Sequence, residues 1–282
     1  MDTNSGKLFL CATPIGNLED ITLRVLRILK EVDVIAAEDT KHTKKLLNHF
    51  KINTPLTSYH RYNKEKKGRK LIEMMQKGKN IALVSDAGTP GISDPGEELV
   101  KHASSEGIAV IPVPGPSALV TALAVSGLPT KKFVFEGFLP RKAKEREKLL
   151  QELEGEGRTL VFYEAPHRVK KSLEDLRKHM GNRKICIARE LTKQHEEIFR
   201  GNIEEALEKF QKNTPLGEFV FVVEGNQNPR NQKSIWNELT VKEHLLIYIN
   251  RGLSKKQAIA RVARERNLSK REVYDVAIDL KE

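Results

Sequence analysis

Ile81-Ala-Leu-Val84, Asp86-Ala-Gly-Thr-Pro-Gly-Ile-Ser-Asp-Pro-Gly96 and Glu97-Glu-Leu-Val-Lys-His-Ala103 follow one another with only Ser85 intervening. The first is a short apolar run that reads as a buried strand. The last has helical spacing with acidic residues in its first turn. Between them lie three glycines, two prolines and two aspartates. A strand that empties into such a loop and then into a helix marks the carboxyl edge of an α/β sheet, where open sheets bind ligands. Glycine lets the backbone approach a ligand, and proline fixes the loop's shape beforehand. Ordinary βα connections take about two to six residues, so this longer one reads as a ligand loop.

Two ligand classes are excluded. No lysine-serine or lysine-threonine pair follows a glycine as a Walker loop requires. After the first strand, Leu8-Phe-Leu-Cys-Ala12, the chain runs into Thr13-Pro-Ile-Gly-Asn-Leu18 rather than a G-x-G-x-x-G fingerprint. A small ligand held by backbone and short side chains fits better than a nucleoside triphosphate or a dinucleotide.

The same alternation extends outward in both directions. Lys7–Cys11, Val32–Ala37, Ile81–Ser85 and Ile108–Pro112 read as strands; Leu18–Lys30, Thr40–Phe50, Lys66–Lys77 and Gly96–Ser105 read as helices. This predicts a mostly parallel sheet covered by helices. Val113-Pro-Gly-Pro-Ser-Ala118 punctuates the chain before an apolar helix, Ala118–Val125, with Ser117 as its cap. A second α/β domain with a mixed sheet follows. Its strands are Phe133–Phe138, Thr159–Tyr163, Lys184–Glu190 and Phe219–Glu224; its helices are Arg141–Leu153, His167–Met180 and Ile203–Phe210. The polar stretch Gly225–Lys233 reads as a linker. Val241–Asn250, Ser254–Arg266 and Ser269–Leu280 then form a small helical module, with Gly252 ending its first helix. Ser254 with Gln257 and Ser269 with Glu272 are spaced as capping boxes, and the last two helices are spaced as in a helix-turn-helix. The expected domains are residues 1–116, 117–228 and 234–282. No repeats or low-complexity tracts occur.

The chain has 282 residues, 39% hydrophobic and 31% charged, enough for real cores beneath a soluble surface. It shows neither an apolar run near 18 residues nor the charged and apolar regions of a signal peptide, so no membrane segment is expected. Cys11 and Cys186 each sit in an apolar run and read as buried thiols in a reducing cytoplasm. No His/Cys cluster has metal-ligand spacing, and no metal is expected.

The net charge of +11 is concentrated. From Lys41 to Asn80, twelve Lys/Arg face two acids, Glu65 and Glu73, giving +10 in forty residues. His42, His49 and Tyr59-His-Arg-Tyr62 are interleaved with them. A second basic run is Lys131-Lys132 with Arg141-Lys142-Ala-Lys144-Glu-Arg146. Cations mixed with aromatics suit a polyanion whose phosphates meet the cations and whose bases stack on the rings. Lys44, Lys45, Arg61, Arg141 and Arg168 are the candidate nucleic-acid contacts.

Carboxylates at strand ends are candidates for proton transfer: Glu38-Asp39, Asp86, Glu164 and Glu190. His167 and Arg168 fall in the first turn of a helix, where cations oppose the dipole, which suggests an anion contact for Arg168. Gly-x-Ser-x-Gly is absent, and no serine has a neighbouring base, so covalent catalysis is not expected. Group transfer from a bound donor, governed by positioning, needs no such nucleophile.

Seven segments together carry a resemblance: Thr13-Pro-Ile-Gly-Asn-Leu18, Ala37-Glu-Asp-Thr40, Ser85–Gly96, Pro114-Gly-Pro-Ser-Ala118, Gly137-Phe-Leu-Pro-Arg141, Tyr163–Arg168 and Arg189-Glu-Leu-Thr192. In this order they resemble the tetrapyrrole-methylase superfamily, in particular its bacterial branch that 2′-O-methylates 16S rRNA. The resemblance implies two α/β domains with S-adenosylmethionine held in the cleft between them, S-adenosylhomocysteine as product, and a homodimer. It implies the ribose 2′-oxygen of a decoding-region cytidine of 16S rRNA, in the 30S subunit, as acceptor. By motif, Pro14, Asp86, Ala87, Gly88, Thr89, Ser117 and Ala118, with Tyr163 and Leu191 from the second domain, line the donor site. His167 and Glu190 face the acceptor. Glu190, Glu164, Glu38 and His42 remain alternatives for taking the hydroxyl proton. The rivals are a superfamily relative that methylates carbon on a small tetrapyrrole and a non-catalytic RNA-binding protein.

Overall fold

The computed structural model describes residues 5–211, 215–227, 239–250, 253–266 and 268–278. They fall into two units, Met1–Glu154 with Arg158–Gly225, and Gly155–Gly157 with Asn226–Glu282. The first holds two five-stranded sheets. Its opening half runs β1 (Leu8–Cys11), α1 (Leu23–Glu31), β2 (Val34–Ala37), α2 (Thr40–His49), β3 (Leu56–Ser58), α3 (Lys64–Gln76), β4 (Ile81–Val84), α4 (Gly96–Ser105) and β5 (Val110–Val113). The strands order as β3-β2-β4-β1-β5, and every neighbouring pair is parallel. In β4, Ala82 and Val84 join one core cluster while Ile81 and Leu83 join another. Side chains alternate across a strand, so this continuous apolar run serves two faces at once, as parallel sheets demand.

The second half contains α5 (Ala118–Val125), β6 (Phe133–Phe138), α6 (Ala143–Leu153), β7 (Thr159–Glu164), α7 (Val169–Met180), β8 (Lys184–Arg189), β9 (Glu197–Asn202), α8 (Ile203–Gln211) and β10 (Phe219–Val223). Its sheet, β6-β7-β10-β8-β9, is mixed: only β6 and β7 pair in parallel. Along β10, Phe219, Phe221 and Val223 pack on one side with Leu173, Leu176 and Ile203, while Val220 and Val222 pack on the other with Leu119, Ala122 and Leu123 of α5. Burying one such Phe contributes about 1.5–3 kcal/mol. The α/β architecture with a parallel and a mixed sheet is the expected one.

Three expectations are corrected. The helix expected over Leu18–Lys30 is two elements: a 3₁₀ turn at Leu18–Asp20, then α1. The Asn17 side chain accepts from the Glu19 N–H, Ile21 is extended, and the Thr22 hydroxyl accepts from the Val25 N–H at 3.2 Å. Two successive caps divide the run. The helix expected from His167 begins at Val169, after a 3₁₀ turn at Pro166–Arg168. Strands β3 and β9 were not expected; each lies at a sheet edge, where apolar alternation is weak.

The second unit contains α9 (Val241–Asn250), α10 (Lys255–Arg266) and α11 (Lys270–Ala277) around Leu245, Tyr248, Ala258, Val262 and Val273. Ser269 and Glu272 form the expected capping box, and Ser254 pairs with Gln257 in the same way. Gly252 and most of the expected linker lie outside the described residues. His244 is fully buried: its Nδ1 accepts from Arg266 Nε at 3.1 Å, so Nε2 carries the proton toward Glu265, 3.1 Å away. Burial first, and then the Arg266 charge, hold its pKa below the ordinary value.

Candidate active site

The Asp86–Gly96 loop is tied down at both ends. Thr13 and Gly88 exchange backbone hydrogen bonds of 2.9 Å, which pins the loop to the chain leaving β1. Gly88 has φ +80°, a conformation glycine adopts without strain. The Thr89 hydroxyl donates to Pro116 O at 3.2 Å, joining the loop to the segment that opens α5. At the far end Asp94 accepts from the N–H groups of Gly91 (2.9 Å) and Gly96 (2.7 Å), holding the turn into α4.

This loop forms one side of a cavity of about 500 Å³ between the edges of the two sheets. Asp86, Ala87, Gly88, Thr89, Ser117 and Ala118 line it from the first side, and Tyr163 and Leu191 from the second. The sequence placed these residues at a donor site, and the fold brings them together at one cavity. Pro14 does not line it; its neighbour Ile15 does. Glu164 reaches its edge, whereas Glu190 and His167 do not line it.

The two sides differ chemically. The first presents Glu38, Asp86 and Asp94. Burial raises Glu38 above the usual carboxylate range, and the charges of Asp86 and Asp94 add to the shift. Asp94 is raised by burial and by Asp86, against the N–H groups it accepts. The second side presents Phe138, Tyr163, Ala188, Leu191 and Val220. Tyr163 stacks edge-on between Phe135 at 4.9 Å and Phe138 at 5.6 Å; burial raises its phenol, opposed by the Leu119 N–H. Phe138, in the Gly137-Phe-Leu-Pro-Arg141 segment, is a lining residue that the sequence alone did not single out. Its signal is the preceding glycine: Gly137, at φ +65°, sits where the β6–β7 register shifts, and Phe138 beyond this bulge is 54% exposed.

Glu164 and Arg168 turn away from solvent. Glu164 accepts from the Ala165 N–H at 2.9 Å and from the Ser172 hydroxyl, and lies 3.5 Å from Arg168 Nε. Arg168 donates to Leu139 O (2.7 Å) and Pro140 O (3.2 Å). Arg146 holds Pro140 O and Arg141 O on the same segment and pairs with Asp175 at 2.7 Å. Arg168, expected to make an anion contact, instead turns its Nε toward Glu164 and its Nη2 toward the carbonyls of Leu139 and Pro140, and so forms part of this brace. Glu190 is at a turn with φ +50°; burial raises its carboxyl, but Lys193 and the Glu218 N–H outweigh that and hold it below the ordinary range. Gly16 packs against the residues just beyond: a Cβ there would stand 2.4 Å from the Lys193 side chain and 3.0 Å from Leu191 O.

The basic stretch meets the cavity at its rim. Asp39 caps α2, accepting from Lys41 and His42, and its own N–H donates to Asp86 Oδ1 at 2.9 Å. Lys44 and Lys45 on α2, with Arg61 and Arg141 elsewhere, are exposed and make no ion pair among the described residues. By contrast Lys64 pairs with Glu98 and Lys79 with Asp33. Among the described residues, no group of His, Cys, Asp and Glu is arranged to hold a metal ion, and no helix is long and apolar enough to cross a membrane.

The two sheets and the cavity at their edges define a tetrapyrrole methylase: residues 7–207 match the family described as Tetrapyrrole (Corrin/Porphyrin) Methylases. The chain is 53% identical to a protein of Halalkalibacterium halodurans, covering 97% of this chain and 95% of that one. It is 51% identical to a Thermotoga maritima protein, covering 79% of this chain and all of the other. Both relatives are named Ribosomal RNA small subunit methyltransferase I, and the chain belongs to that family. A likeness of fold extends to uroporphyrin-III C-methyltransferase from Thermus thermophilus, crystallised with S-adenosylhomocysteine. That structure is 19% identical, with TM-score 0.55, covering 78% of this chain and 97% of that one.

Proposed function

We propose that the protein transfers a methyl group from S-adenosylmethionine to the ribose 2′-oxygen of a cytidine in the decoding region of 16S rRNA. One observation carries the reading: a cavity lined by carboxylates and loop backbone on one side and aromatic and aliphatic groups on the other has a basic helix starting at its rim. The relatives' name supports small-subunit rRNA as the substrate. The resemblance supports the ribose oxygen, the cytidine and a homodimer, and the two free buried cysteines support a reducing cytoplasm.

The lining suits the donor. The volume lies in the usual range for small-molecule sites, about 300–1,000 Å³. Asp86 and the backbone of Ala87–Thr89 would hold its hydroxyl and amino groups, and Phe138, Tyr163 and Leu191 its adenine. The donor supplies an electrophilic methyl group on a positively charged sulfur. The apolar side keeps water out, and a low-dielectric surrounding favours a reaction in which charge is lost. Lys44, Lys45, Arg61 and Arg141 would take backbone phosphates, so that rigid elements set donor and acceptor against each other.

The test supplies labelled S-adenosylmethionine with either 30S subunits lacking the methyl group or a porphyrinogen. Label is expected in a cytidine ribose of 16S rRNA. Label in the macrocycle alone would overturn the reading, and absence of donor binding by calorimetry would favour a non-catalytic RNA-binding protein.

A further inference from the structure

The geometry points to Glu38 as the general base that takes the proton from the attacking 2′-hydroxyl. This rests on the reading of ribose transfer above. Five carboxylates line the cavity, and four of them are engaged. Asp86 accepts from the Asp39 N–H, and Asp94 accepts from Gly91 and Gly96. Glu164 is enclosed by Ala165, Ser172 and Arg168, and Glu218 is paired with Lys193. Glu38 lines the cavity and its carboxylate accepts no hydrogen bond among the described residues. Glu190, also considered from sequence, does not line the cavity and is held by Lys193 and the Glu218 N–H.

Position supports the same choice. Glu38 follows directly on β2, and the next residue caps α2, whose lysines are exposed. An RNA strand held by these cations would lie beside the Glu38 edge of the cavity. An unengaged carboxylate with both oxygens free is the group able to receive a proton. Burial beside two like charges raises its basicity, as general-base work near neutral pH requires. In the step, the Glu38 carboxylate takes the hydroxyl proton as the oxygen–methyl bond forms and the methyl–sulfur bond breaks. The electron pair of the broken bond leaves on a neutral thioether sulfur, and the proton stays on Glu38.

The experiment measures single-turnover methylation of 30S subunits lacking the methyl group, across pH, for the wild type and Glu38→Gln. It also measures S-adenosylmethionine affinity by calorimetry. Wild-type rate should fall as pH drops through the raised pKa of Glu38. Glu38→Gln should be slower by about 100-fold or more and lose that acidic limb, with donor affinity within about threefold of wild type. Glu38→Asp should recover part of the rate. Stability gives a readout without turnover. Because the folded pKa lies above the ordinary 4.5, the fold disfavours the ionised form. Stability from this group is full at acid pH and lost as pH rises through the folded pKa. Glu38→Gln should therefore melt higher than wild type at pH 8, with the gap closing below pH 4.5. A Glu38→Gln rate near wild type, a retained acidic limb, or a parallel collapse of donor affinity overturns the assignment while leaving ribose transfer standing. Absence of ribose methylation by the wild type overturns both.

Discussion

The two walls of the cavity are built on opposite principles. The first is loop and helix terminus, held by hydrogen bonds such as Thr13–Gly88 and Asp94–Gly96, and it exposes carboxylates. The second is strand ends and rings, held from behind by two arginines gripping the carbonyls of residues 139–141, and it exposes mainly apolar surface, with Glu164 and Glu218 both engaged by partners. Polar groups on the first wall can discriminate and move protons, whereas the second can exclude water and press a flat ligand into place. Splitting these duties lets each wall be rigid by its own means.

The largest expected effect tests the brace. Among the described residues, Arg146→Ala leaves Asp175 with Lys171 alone and the Pro140 carbonyl with Arg168 alone, a loss of about 1–3 kcal/mol. Thermal melting should fall by roughly 5 °C. A shift within error would mean that the second wall needs no such support. Next comes the first wall: Asp86→Asn keeps an acceptor for the Asp39 N–H but removes the charge. Donor affinity by calorimetry should fall about tenfold with RNA affinity retained, and equal loss of both would erase the division between the walls. Phe138→Ala, at a half-exposed site, should weaken donor binding several-fold with the pH profile of the rate unmoved. Lys44→Ala should lower the salt slope of RNA binding by about one. The smallest effect concerns the thiols. Burial pushes Cys11 up to about 12 and raises Cys186, so neither should react with a thiol reagent at pH 8 until the protein unfolds.

Much of this molecule is legible in the chain because its central strands are apolar on both faces. Helices beginning at Gly96, Ala118 and Val241 fall where expected, each after a clear break in pattern. What escaped was short or marginal. Leu56–Ser58 is three half-buried residues between basic helices, and Glu197–Asn202 alternates too weakly to stand out from its polar surroundings. The site shows the same limit. Short motifs mark where the loops converge, so Asp86–Thr89, Ser117 and Tyr163 could be assigned to one cavity. They do not show which way a long side chain turns, so the inward commitment of Arg168 and Glu164 and the open carboxylate of Glu38 required the fold.

Under the proposed function, the 2.9 Å bond from the Asp39 N–H to Asp86 would make the cap of α2 a gauge between donor and RNA. With a rise of 1.5 Å per residue, Lys45 stands about 9 Å along the axis from that cap. The cations that would seat an RNA backbone are thereby measured from the same aspartate that would face the donor. Asp86→Ala, which removes the reference point, should blur both positions at once, where Asp86→Asn dulls only one.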